Sequence, residues 1–142
     1  MRSPSTARRR SRLVVSLATL YALALAVALL MPAPDTPVPQ HEHRFLEIER
    51  LRTGRMSVRD AVINVVVFVP AGLLCHAALR GGAPATAPVT AAVMAGGLAL
   101  SLGAESLQYV IPGRYSSAGD VLANAVGLAL GVIADRLTGP PR

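Results

Sequence analysis

The 142-residue chain is 52% hydrophobic and 15% charged, with a mean hydropathy of +0.47, a balance that does not fit a soluble domain and makes a bilayer the expected solvent. Its net charge of +6 rests on arginine alone, and the cluster Arg2, Arg8, Arg9, Arg10 and Arg12 reads as a membrane topology signal. Nucleic acid is not an expected partner, because aromatics are 4% of the chain and tryptophan is absent.

Four apolar stretches approach the roughly 20 residues that cross a bilayer core of about 30 Å, which predicts an all-α, polytopic bundle of about four transmembrane helices. After a basic N-terminus (1–12), residues 13–31 form the first span. A secretory signal peptide shares its basic start, but the apolar run is longer than an h-region of about 7 to 15 residues, so an anchor is expected. Residues 32–59 follow as an extracytoplasmic segment. Its prolines, from Pro32 to Pro39, make an extended spacer, and Phe45, Leu46, Ile48 and Leu51 gather loosely on one side of a charged helix, which is either interfacial or a short solvated helix touching nothing. His41-x-His43 offers two ligands where a zinc site needs four positions, so no metal is expected. The remaining spans are 61–79, 89–110 and 121–137, within a helical membrane domain of 60–137 and before a tail of 138–142. A kink is expected at Pro70. Eight arginines fall on the predicted inner side and six outside, which places both termini in the cytoplasm of a multi-pass cell-membrane protein. Cys75 lies alone in an apolar run and reads as a small packed side chain.

Two spans open alike, with Ser57-x-x-Asp60-x-x-x-Asn64 and Ser117-x-x-Asp120-x-x-x-Asn124. Serine with an acid three residues on is a capping-box start, and an acid in the first turn complements the helix dipole. Capping explains Asp60 and Asp120. It does not explain Asn64 and Asn124 one turn deeper, where an unpaired amide is costly. They serve either as interhelical glue or as ligand contacts. Glu105 and Gln108 share one side of the third span, with Glu105 about 7 Å from its end. Arg114, beyond Pro112-Gly113, is the expected partner of Glu105. The alternative is a site of carboxylates, amides and one arginine beneath two helix N-termini, able to grip a phosphate or sugar headgroup. Gly119, Ala123, Gly127 and Gly131 form a small-residue stripe that admits a neighbouring helix or a second copy of the chain.

Taken in order, Asp60-x-x-x-Asn64, Phe68-x-Pro70-x-Gly72, Glu105-x-x-Gln108, Pro112-Gly113-Arg114 and Asp120-x-x-x-Asn124-x-x-Gly127-x-x-x-Gly131 resemble the VanZ-like family of small bacterial membrane proteins, over about residues 60–134. The resemblance implies a helical membrane protein whose named relative contributes to low-level teicoplanin resistance. It implies no reaction.

The leading functional expectation is therefore a non-enzymatic membrane protein. Its outer-leaflet polar cluster, made of Asp60, Asn64, Glu105, Gln108, Arg114, Asp120 and Asn124, binds a lipid-linked or lipophilic molecule among the membrane lipids. The competing classes are an intramembrane enzyme using Glu105 with Asp60 or Asp120 as acid and base on an envelope lipid, and a structural subunit of a membrane complex. No cofactor is expected. A transporter fits less well, because the polar residues stop short of the inner half and leave no path through.

Overall fold

A computed structural model describes residues 4–31, 58–111 and 116–139. Among these the chain is entirely helical: α1 (Pro4–Leu30), α2 (Val58–Arg80), α3 (Ala87–Gln108) and α4 (Ala118–Thr138). All four contain a stretch long and apolar enough to cross a membrane, and in lipid a helix is the conformation that satisfies every backbone group within its own segment. Each of the last three starts two or three residues before its predicted span, because the first turn, polar in α2 and α4 and carrying Pro88 in α3, belongs to the helix although not to the apolar run. The proline spacer and charged segment of 32–57 lie outside the described residues, with His41, His43 and Ser57.

The apolar surface is mostly turned outward. Leu13, Leu20, Leu23 and Val27 of α1, Val62 and Val66 of α2, and Leu122, Ile133 and Leu137 of α4 are all exposed, as suits side chains that meet lipid tails. Phe68, Val93, Leu128 and Val132 form a small apolar core, with Cys75 packed against it.

A four-residue rhythm organises the bundle. On α2 the buried residues are Phe68, Gly72 and His76. On α4 they include Gly119, Ala123, Gly127, Gly131 and Asp135, flanked by a second row of Asn124, Leu128 and Val132. Rows of residues four apart are the ridges by which helices interlock, and here they are made so small that the backbones touch. A Cβ on Gly72 would lie 2.1 Å from the Leu128 carbonyl oxygen, one on Gly127 2.2 Å from that of Val65, and one on Gly131 2.1 Å from that of Val69. The neighbour of the small-residue stripe is thus α2, which is its most extensive partner.

α3 leans on the same pair through Val93 and Gly97, the latter directly under the Leu128 side chain. α1 packs on α2 and α3. Pro70 lacks the N–H that would bond the Val66 carbonyl, yet α2 continues through it. Next to that gap the Tyr21 hydroxyl of α1 donates to the Val67 carbonyl, the kind of outside donor by which a neighbouring helix supports a proline-interrupted one. Gly81 (φ 57°) and Gly82 (φ 88°) then take left-handed conformations that end α2 and turn the chain into α3.

Candidate functional site

Polar side chains are buried at both ends of this bundle. The end where α2 and α4 begin and α3 finishes holds the residues singled out by sequence. Glu105, Gln108 and Asn124 are buried there together with Ser101, Ser116 and Ser117. Asp120 and Asn64 are half-buried, whereas Asp60 is exposed. Helix geometry explains the last point. Steps of four residues drift by about 40° each, so Asp60 points roughly 160° away from the buried His76 on the same helix. Asn64 nonetheless sits level with Asn124. It precedes Val65, whose carbonyl meets Gly127, and Asn124 is less than one turn from that glycine.

The start of α4 departs from the capping box expected of it. Ser117 is the N-cap, and its hydroxyl accepts from the Gly119 N–H at 3.2 Å. In a capping box Asp120 would reach back to the Ser117 N–H. That N–H instead donates to Glu105 Oε2 at 2.7 Å, so the reciprocal partner comes from α3. A carboxylate at 2% exposure is thereby stabilised by a short charge-assisted bond and by the positive end of the α4 dipole. Arg114, the partner expected from sequence, lies outside the described residues, as do Pro112, Gly113 and Tyr115.

One turn deeper, Asn124 Nδ2 donates to Ser101 Oγ at 2.9 Å. Asn124 is 2% exposed, and its Oδ1 is a buried acceptor with no partner among the described residues. Leaving such an atom unsatisfied costs about 1 to 3 kcal/mol.

The opposite end, where α2 and α4 finish and α3 begins, corrects the sequence expectation that intramembrane polarity is one-sided. His76 is fully buried and bonded on both ring nitrogens: Nδ1 is 2.7 Å from Asp135 Oδ2, and Nε2 is 3.1 Å from Thr90 Oγ1. A neutral imidazole has one donor and one acceptor. With Nδ1–H donating to the carboxylate, Nε2 accepts from the threonine hydroxyl. Arg80 closes the group with a two-pronged grip on Asp135, Nε to Oδ2 at 2.7 Å and Nη2 to Oδ1 at 2.9 Å. A third Arg80 bond, from Nη1 to the Ala83 carbonyl at 3.2 Å, fastens the turn.

Sequence reasoning passed over these four residues because none is unusual alone, although spacing carries a signal. His76 and Arg80 prolong the row of Phe68 and Gly72, and Asp135 prolongs that of Gly127 and Gly131. Two rows that meet must bring their next members together. Between the two polar ends lies the apolar core of Phe68, Leu128 and Val132, and no continuous polar path joins them among the described residues. Nor does any group of three histidine, cysteine or acidic side chains able to hold a metal occur there.

Comparison with known proteins agrees with the sequence resemblance. Residues 18–137 match the family model described as VanZ/LLP1, a match that takes in the second half of α1 as well as the three later helices. No curated protein and no solved structure matches the chain.

Proposed function

The chain belongs to the VanZ/LLP1 family, and from that premise we propose that it is a cell-membrane protein that binds the headgroup of a lipid-linked or lipophilic molecule at the end where α2 and α4 begin, altering access of a glycopeptide such as teicoplanin to the envelope. The observation that carries this reading is Asn124: a fully interior amide whose Oδ1 has no donor among the described residues, beside the buried Glu105 and Gln108. Interior amides that serve only as glue satisfy both of their ends. An acceptor left over in the interior favours a ligand rich in hydroxyl or amino donors, as a sugar headgroup is. The arginine bias favours an outer position for this end, where a glycopeptide acts. Binding rather than turnover is assigned to this end of the bundle.

The test replaces Asn124, Glu105, Asp120 and Arg114 singly in an expressing host, with membrane abundance measured in parallel. Each of Asn124→Leu, Glu105→Gln, Asp120→Asn and Arg114→Gln is expected to lower teicoplanin tolerance at equal abundance. Tolerance unchanged in all four would refute the reading.

A further inference from the structure

The end of the bundle formed by the α2–α3 turn has an arrangement with chemistry of its own. Thr90 Oγ1, the His76 imidazole and the Asp135 carboxylate form a hydrogen-bonded chain, 3.1 Å from hydroxyl to Nε2 and 2.7 Å from Nδ1 to carboxylate. We propose that these residues are a nucleophile, a base and an orienting carboxylate, and that they take an acyl group from an amphiphilic ester at the membrane boundary. Both separations are within the reach required between nucleophile, base and orienting group. The inference is independent of the function proposed for the Asn124 end.

Three further observations bear on it. The first is where the hydroxyl points. Thr19, Ser106 and Thr138 each donate back to the carbonyl four residues earlier, at 3.0, 2.8 and 2.9 Å, the usual resting place of a helical hydroxyl in an apolar setting. The Thr90 hydroxyl is bonded across the helix interface to imidazole instead. The second is rigidity: Arg80 holds both oxygens of Asp135, so the carboxylate that orients His76 is itself fixed. The third is position. His76 is completely interior, whereas Thr90 is half-buried, with Ala87, Pro88 and Ala91 exposed around it. Thr90 also stands only about 5 Å along α3 from its start. In a helix that spans a bilayer, a residue so near the start is expected close to the boundary between hydrocarbon and headgroups, where lipid esters lie.

In the step that this geometry serves, Thr90 Oγ attacks the ester carbonyl while its proton passes to His76 Nε2. The bond to the departing alkoxide breaks, the alkoxide takes that proton, and an acyl-threonine ester remains. Water then attacks the acyl carbon with its proton going to Nε2. The carboxylic acid leaves as the Thr90 oxygen takes the proton back.

Full-length protein in detergent micelles incubated with p-nitrophenyl butyrate is the test. A butyryl adduct mapped by peptide fragmentation to Thr90, with release of p-nitrophenol, is the expected result. Thr90→Ser should keep the adduct, Thr90→Val should lose it while conserving shape, and His76→Gln should slow release by about 100-fold, a general-base effect. A purely structural hydrogen bond predicts none of these. No adduct on Thr90 of the unsubstituted protein, or release as fast from Thr90→Val, overturns the proposal. Because the unsubstituted protein decides the first point, failure of a variant to fold does not blunt the test.

Discussion

The two polar ends of the bundle each bury a carboxylate, and they differ in how completely their polar groups are satisfied. At the Asp135 end each described bond has an answering group: both imidazole nitrogens are engaged and Arg80 grips both carboxylate oxygens. At the Asn124 end Glu105 is tied to the Ser117 N–H, but Asn124 keeps an interior acceptor with no described donor. A saturated polar group in a bundle holds helices at fixed separation. One that is short of a donor stores a binding preference, since burying a lone acceptor is unfavourable until something completes it.

Substitutions can break that contrast, and the largest effect belongs to the saturated end. Asp135→Ala strands both Arg80 and His76, and should lower unfolding free energy by about 3 to 5 kcal/mol, the usual cost of removing one partner of a buried pair. Reversible denaturation in mixed micelles measures it, and a loss below about 1 kcal/mol would show that the pair is solvated. Next is Gly131→Leu, which forces a side chain into the Val69 carbonyl where the two backbones touch. Overpacking of about 1 to 3 kcal/mol is expected, with cross-linking between introduced cysteines on α2 and α4 falling in step.

Glu105→Ala leaves the Ser117 N–H without its acceptor and should cost about 1 to 2 kcal/mol. Glu105→Gln, which preserves an acceptor oxygen, should recover part of that loss in the same denaturation assay. The smallest stability effect is expected of Asn124→Leu, less than about 1 kcal/mol, because the bond to Ser101 is lost while an unsatisfied acceptor is removed. The same substitution should have a full effect on teicoplanin tolerance. A variant as stable as the parent but without tolerance sharpens the contrast; one that is severely destabilised turns the Asn124 end into another structural lock.

Much of this was legible from local pattern. The four apolar runs are strong signals because lipid permits little besides helices, and Ser117 identified itself as a cap by the acid three residues after it. The small-residue stripe was visible as well, but its partner was not, since glycine spacing reveals that something comes close and not what. The same limit hid the Asp135 group. His76 and Asp135 are 59 positions apart, and Arg80 and Asp135 lie near span ends, where charges are common and unremarkable. Only the crossing of α2 and α4 makes them neighbours. The exchange of Asp120 for Glu105 at the Ser117 N–H was illegible for a different reason: a capping box and a carboxylate from another helix satisfy the same donor, and sequence spacing favours the local one.

The pairing of α2 with α4, rather than with the helix that follows it, also sets an order of assembly. When α2 enters the bilayer during synthesis, His76, Arg80 and the bare backbone around Gly72 have no counterpart, and α3 brings only Thr90 to them. The carboxylate and the glycines that complete them arrive with α4. Through that interval α2 carries an unneutralised guanidinium at one end, best accommodated by lipid phosphate. The tightest contact of the bundle, that of α2 with α4, is therefore made only when the last helix arrives.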